Sequence, residues 1–191
     1  MRIAVSGSHR TGKSTLVADL ADLLPGYAAV PEPYELLEAE GCDFPEVPSL
    51  EDFEVQLERS IELLRDARAD SVFERCPVDF LAYALCSRDS DAFDPADWIE
   101  RIRPAMAALD FAVFVPVEDR IAVPVSEDRE YRLAVDEKLR EILVDDPFDL
   151  GVEALEVSGD RSRRVAMVLL RIRKGRGRNG MTIHPVQLLA I

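Results

Sequence analysis

The run GSHRTGKST fills residues Gly7–Thr15 and directly follows an apolar-rich segment at residues 2–6. Two glycines separated by four residues and followed by lysine and serine are the pattern of a phosphate-binding loop. Gly7 and Gly12 can adopt conformations that let the backbone approach a phosphate closely. Successive N–H groups ahead of a helix N-terminus also attract an anion. We therefore expect a bound nucleoside triphosphate, the alternative being a glycine-containing turn in an unrelated α/β protein.

The loop residues divide the work of holding a nucleotide. Lys13 is expected to reach the β- and γ-phosphates, and the Ser14 hydroxyl to ligate Mg²⁺. A helix is predicted behind the loop, because Leu16, Val17, Leu20 and Leu23 recur at helical spacing. The predicted cofactor-binding residues of the loop are Gly7, Ser8, His9, Arg10, Thr11, Gly12, Lys13, Ser14 and Thr15.

Composition narrows the class of protein. A length of 191 residues with 48% hydrophobic residues suits one domain with a sizeable core. The net charge of −14 argues against nucleic acid as a partner, since that binding relies on neutralising phosphates. Two histidines exclude a histidine-rich metal site, and three cysteines without a Cys-x-x-Cys pair favour a reducing cytosol. With no leader or membrane-length apolar run, we expect a cytoplasmic monomer or homodimer without a membrane partner.

Strand and helix patterns alternate along the chain, which predicts an α/β fold with a parallel sheet and crossover helices. The predicted strands are residues 2–6, 27–30, 71–73, 111–117 and 155–157. The predicted helices cover about 12–24, 78–87 and 161–173, two more begin near 49 and 94, and another ends near 144. The buried side of this last helix is expected to carry Leu133, Val135, Leu139 and Leu143. Residues 118–132 are predicted to be a mobile charged segment entering it.

The first acidic candidate follows the second strand. Glu32 lies between Pro31 and Pro33, which restrict the local backbone. Because ligands bind at the carboxyl ends of parallel strands, this carboxylate is expected to face the loop. There it can accept a proton from an attacking substrate hydroxyl. The alternative is a solvated glutamate in a proline-rich turn.

The third strand ends in a second charged step. Glu74 is expected to assist Mg²⁺, and Arg75 to stabilise charge on a transferring phosphoryl group. An internal salt bridge between strand ends is the alternative. One helical turn on, Asp79, Phe80 and Tyr83 are candidates for a substrate wall, although the two aromatic residues suit a core equally well.

Arginines after the fourth strand are candidates for a lid. Arg129 and Arg132 are three residues apart and share a helix face, and Arg120 precedes them. Such residues close over phosphates and exclude water. Exposed helix arginines without a catalytic role are the alternative.

The loop Gly7–Thr15, the Pro31-Glu32-Pro33 step and the Phe73-Glu74-Arg75 step carry a resemblance to a known family. Together they resemble the P-loop kinase group, in particular the deoxynucleoside kinases and the AAA-type ATPases related to ribosylnicotinamide kinase. The resemblance implies a three-layer P-loop NTPase fold with strand order 2-3-1-4-5. It makes Glu32 the general base, Glu74 the Mg²⁺-linked acid and Arg75 a phosphate-binding arginine. It also implies that the turn containing Gly159 and Arg164 lies near the base of the nucleotide.

The leading hypothesis is an ATP- or GTP- and Mg²⁺-dependent kinase that phosphorylates a hydroxyl of a nucleoside, nucleotide-like or other small metabolite. Its domain is predicted over residues 1–173, followed by a basic flexible tail at 174–191 that is alternatively a docking arm. The rival is an NTPase or switch without a small-molecule acceptor, and a third reading is a non-catalytic nucleotide sensor.

Overall fold

The computed structural model describes residues 1–118 and 129–178 of the chain. Its five parallel strands lie in the order β2-β3-β1-β4-β5, which confirms the predicted fold class and strand order. The strands are β1 Arg2–Ser6, β2 Ala28–Val30, β3 Ser71–Glu74, β4 Phe111–Phe114 and β5 Ala154–Glu156. The helices are α1 Lys13–Leu23, α2 Pro33–Ala39, α3 Leu50–Asp66, α4 Pro77–Cys86, α5 Ala96–Met106, α6 Arg129–Arg140 and α7 Arg161–Arg178. Short turns add a 3₁₀ segment at Ser90–Ala92 and a π segment at Glu141–Asp145.

Alternating side chains of the strands build one core on each face of the sheet. Ala4 belongs to the core shared with α3, α4, α5 and α6, whereas its neighbours Ile3 and Val5 belong to the core shared with α1 and α7. This division follows from the two-residue period of a strand. The central strands are therefore covered by helices on both sides, as a parallel sheet requires.

Helix α3 shows how closely the sequence can specify an element. The side chain of Ser49 accepts a hydrogen bond from the Asp52 N–H at 3.3 Å, and the Asp52 carboxylate accepts one from the Ser49 N–H at 2.7 Å. This reciprocal cap starts the helix where predicted. Helix α5 packs on α3, and its Trp98 indole N–H donates to Glu54 at 3.4 Å.

Several predicted boundaries are wrong. A helix that was not predicted begins at Pro33, where the alternative for Glu32 was a proline-rich turn, since proline is well suited to a first helical turn. The β4 ladder ends at Phe114, three residues early. Leu133 is 43% exposed, and the buried side of α6 carries Arg132, Val135 and Leu139. Leu23, expected on the buried face of α1, is also 43% exposed.

The C-terminal helix is longer than predicted. Helix α7 continues through residues 174–178, the beginning of the predicted tail. Each residue added to an existing helix gains a hydrogen bond, which offsets the helix cost of its glycines. The rest of that tail and the segment 119–128 lie outside the described residues. None of the described helices combines the length and apolar character needed to cross a bilayer.

Candidate functional site

The loop between β1 and α1 makes a tight turn that glycine permits. Gly7 has a φ of 154°, and a Cβ there would lie 2.5 Å from the Val115 carbonyl oxygen. Gly12, directly before α1, has a φ of 93°. Both are in the region that other residues rarely adopt. The loop therefore lies tightly against the end of β4 and leads into the α1 N-terminus.

Lys13 folds back into its own loop. Its side chain is 4% exposed, and Nζ donates to the Ser8 carbonyl oxygen at 2.8 Å. Burial, and after it the positive charge of Arg75, lower the pKa of Lys13 to about 7. The ammonium group thus lacks full charge compensation, which a phosphate would supply.

Ser14 and Glu74, the two predicted Mg²⁺ residues, are adjacent. The Ser14 hydroxyl donates to Glu74 Oε1 at 2.5 Å. Burial raises the pKa of the Glu74 carboxyl group. A hydroxyl and a carboxylate oxygen are hard ligands, and the pair fits Mg²⁺, which keeps several waters and takes few protein ligands. The described residues hold no cluster of three or more His, Cys, Asp or Glu that suits a metal held by protein alone.

Glu32 and Arg75 meet beside the loop. Glu32 directly precedes α2, and its Oε2 accepts from Arg75 Nε at 2.7 Å. Arg75 Nη1 also donates to the Gly7 carbonyl oxygen at 3.2 Å. The salt bridge considered as the alternative for Arg75 therefore exists, but it links the predicted base to the phosphate loop. The Glu32 side chain keeps 22% exposure, so a solute can reach it.

Asp79 is a buried support of the phosphate loop. It has no exposed surface; Oδ1 accepts from the Gly7 N–H at 3.0 Å and Oδ2 from the Cys76 N–H at 3.0 Å. Phe80 is 2% exposed and belongs to the core. Neither residue offers the surface that a substrate wall needs, and the core alternative holds for Phe80.

Tyr83 is likewise part of the core and of the loop support. It is 7% exposed, and its hydroxyl accepts from the His9 N–H at 2.9 Å. Its ring packs on Phe53 and lies under the guanidinium of Arg75, 5.2 Å from ring centre to Cζ. Substrate contact by Tyr83 remains a prediction.

The two lid candidates do not share a face. Arg129 is exposed at the start of α6, whereas Arg132 is buried under the loop. Arg132 Nε donates to the His9 carbonyl oxygen at 3.0 Å and Nη2 to the Arg10 carbonyl oxygen at 3.2 Å. The loop carbonyls attract this arginine to the buried side of its helix, which sequence spacing alone did not indicate. Arg120 lies outside the described residues.

A cavity of about 290 Å³ adjoins the other flank of the loop. Arg164 Nη1 donates to the Thr11 carbonyl oxygen at 2.6 Å, and Nη2 donates to Glu118 Oε1 at 2.8 Å. The same Glu118 oxygen accepts from the Gly159 N–H at 2.7 Å. Gly159 and Arg164, the two residues predicted to lie near the nucleotide base, therefore share Glu118 as a partner beside this cavity. The cavity is lined by Thr11, Gly12, Thr15, Leu16, Asp19, Glu118, Gly159, Asp160, Arg161 and Arg164.

Four polar residues of the cavity, among them Glu118, Asp19 and Arg161, were not predicted as site residues from the sequence. Glu118 follows β4 at the carboxyl edge of the sheet, which is the signal that identifies such a residue. Asp19 and Arg161 form an ion pair with Nε 2.7 Å from Oδ2, at a separation of 142 residues. No local pattern connects two residues so far apart.

Comparison with known proteins agrees with this architecture. A family model described as AAA domain matches residues 2–164. No curated protein sequence matches the chain. Deoxyadenosine kinase from M. mycoides with bound dATP aligns at a TM-score of 0.61 and 16% identity, over 91% of this chain and 99% of that one.

Two further solved structures have the same fold. YorR protein from Bacillus subtilis, in complex with phosphorylated GDP, gives a TM-score of 0.63 and 16% identity over 95% of this chain and 100% of that one. NadR protein in complex with NR gives a TM-score of 0.60 and 18% identity over 97% of this chain and 52% of that one. These likenesses show the fold of the P-loop kinases. Because the family model spans most of the sequence, the chain belongs to the AAA domain family.

Proposed function

We propose that this protein is an ATP- or GTP-dependent phosphotransferase that acts on a hydroxyl group of a small metabolite. The observation that carries the proposal is the path from Glu32 through Arg75 to Gly7, with contacts of 2.7 and 3.2 Å. These contacts support the assignment of Glu32 as a solvent-accessible carboxylate held beside the predicted position of the γ-phosphate. A loop that only bound nucleotide would not require such a carboxylate.

Each polar group then has a role in transfer. The loop amides and Lys13 bind the β- and γ-phosphates, and the ammonium of Lys13 gains the charge partner that it lacks. Ser14 and Glu74 would hold Mg²⁺, which would offset phosphate charge when bound. Glu32 accepts the proton of the acceptor hydroxyl, while the guanidinium of Arg75 stabilises charge on the transferring group. The cavity beside Gly159 and Arg164 receives the base and sugar of the nucleotide.

The test separates transfer from binding. Glu32→Gln removes the proton acceptor and keeps the size of the side chain, so we expect transfer to fall about 10²- to 10⁴-fold. Nucleotide affinity is expected to stay within about twofold, because Glu32 does not touch the loop directly. Transfer is measured with γ-labelled ATP or GTP and a panel of nucleosides and other hydroxyl metabolites. Glu35→Gln replaces an exposed glutamate of helix α2, which begins directly after Glu32, and is the matched control.

A second candidate is an NTPase without an acceptor, which the AAA domain family match favours. A hydrolase of that kind needs an acidic residue after β4 to activate water, and Glu118 is the residue there. Its Oε1 is held by Arg164 and the Gly159 N–H at the base-side cavity, which supports transfer more than hydrolysis. Label released only as free phosphate with every acceptor would favour the NTPase. Nucleotide binding without turnover would favour a sensor.

A further inference from the structure

Three consecutive carbonyl groups of the phosphate loop are held by two buried arginines. Arg132 bonds the carbonyl oxygens of His9 and Arg10 at 3.0 and 3.2 Å, and Arg164 bonds that of Thr11 at 2.6 Å. The two arginines are 3% and 7% exposed. They come from α6 and α7, which pack on opposite faces of the sheet. Side chains from two helices distant in sequence therefore hydrogen-bond to the loop from both sides.

Peptide geometry turns these contacts into a statement about the N–H groups. A trans peptide is planar, with its C=O and N–H on opposite sides. The carbonyls of His9, Arg10 and Thr11 share their planes with the N–H groups of Arg10, Thr11 and Gly12. Bonding to Arg132 therefore directs the N–H groups of Arg10 and Thr11 away from that arginine, and bonding to Arg164 directs the Gly12 N–H away from the other arginine. Successive N–H groups held in fixed directions are what an anion-binding nest needs.

The backbone needs this support. Arg10 has a φ of 56°, in the left-handed region where a non-glycine residue is strained and persists only if surrounding contacts enforce it. Arg132 bonds the carbonyl oxygens of the two peptide groups that flank the Cα atom of Arg10. The planar fork of a guanidinium can bond two neighbouring carbonyls at once, whereas a lysine ammonium acts as a point charge on a flexible stem.

We propose that Arg132 and Arg164 are positioning residues that orient the loop N–H groups for the nucleotide phosphates before the nucleotide arrives. Arg132 was expected to act as a lid over the phosphates. In this proposal it acts instead on the loop backbone, through its bonds to the carbonyl oxygens of His9 and Arg10. It rests on the proposed function only in requiring that the loop binds nucleotide, with or without an acceptor.

The experiment compares nucleoside di- and monophosphate affinity by calorimetry. It uses ADP with AMP or GDP with GMP, whichever pair the native protein binds more tightly. Arg132→Met and Arg164→Met should each weaken diphosphate binding roughly tenfold or more, and monophosphate binding much less. The discrimination between the two ligands should therefore fall. Arg140→Met and Arg173→Met replace exposed arginines of the same two helices and should leave it unchanged.

Arg132→Lys separates geometry from charge and also serves if the methionine variant fails to fold. It keeps the positive charge but not the double bond to the loop, so most of the loss should persist. Native diphosphate affinity in Arg132→Lys would overturn the proposal. An equal loss of mono- and diphosphate affinity in the methionine variants would overturn it as well. A fall in kcat with diphosphate affinity unchanged would instead make Arg132 a group that contacts the phosphates. Native protein that binds neither diphosphate would refute the proposed function itself.

Discussion

The two flanks of the phosphate loop carry charge in different ways. On the α4 flank, Asp79 has no exposure and Arg75 is 10% exposed, and both are bonded to the loop and to each other. On the α1 flank, the Asp19–Arg161 pair closes one side of the cavity with an arginine that is 70% exposed. Water screens an exposed pair, whereas a buried charge that loses its partner has nothing to replace it. The buried flank, with Asp79 and Arg75, is therefore suited to fix the loop. The exposed flank, with Asp19 and Arg161, also has the buried Arg164 bonded to the loop, but its exposed pair can rearrange around a ligand.

The largest expected effect comes from breaking the buried flank at Asp79. Asp79→Ala removes the acceptor of two backbone N–H groups and one of the two acidic partners of Arg75. Removing one member of a buried ion pair costs about 3–5 kcal/mol in the free energy of unfolding. Urea unfolding checks the value, with Asp89→Ala as the exposed control. A loss below about 1 kcal/mol would show that this flank does not depend on its buried charge.

Lys13, the first residue of α1, interacts with Arg75 and Asp79 of the buried flank and should make the protein respond to pH. Its pKa is about 7 in the folded protein against 10.5 for a free lysine. Between these values the unfolded chain binds more protons at this site, so Lys13 makes the free energy of unfolding rise with pH there. Phosphate favours the charged form, so binding at pH 8 should take up about 0.9 proton at this site, and affinity should fall as pH rises further.

Calorimetry of ADP binding in two buffers of different ionisation enthalpy measures that uptake. Metal-free conditions keep Glu74, whose pKa burial raises, from adding a metal-linked proton release. Lys13→Met is the matched variant and should lose the uptake. An identical apparent enthalpy in both buffers at pH 8 would mean that Lys13 is already charged in the free protein.

The smallest effect is expected on the exposed flank. Arg161→Gln removes the partner of Asp19, and because water screens this exposed pair the free energy of unfolding should change far less than for Asp79→Ala. The Arg161 side chain lowers the pKa of Asp19 by hydrogen bonding, so the small contribution is present above the ordinary carboxyl pKa and lost in acid. Urea unfolding at pH 7 and pH 3 checks both statements. A loss as large as that of Asp79→Ala would erase the distinction between the flanks.

Features set by local chemistry were predictable from the sequence. The loop, the strand β1 and the cap of α3 depend on residues within one or two turns of each other. Arg132 shows the limit, because its acceptors His9 and Arg10 lie more than 120 residues away. Spacing placed it on an exposed face with Arg129, and only the folded chain reveals the carbonyls that draw it inward. Asp79 was missed as a loop support for the same reason.

The packing of α5 on α3 has a practical consequence for spectroscopy. The single tryptophan of the sequence, Trp98, lies in that contact beside Glu54, and no residue of the candidate site comes from α5. Indole fluorescence will therefore report the loss of helix packing during unfolding and will be nearly silent when a nucleotide enters the loop. A binding assay needs a labelled nucleotide, whereas a denaturation curve can use the native signal without interference from ligand.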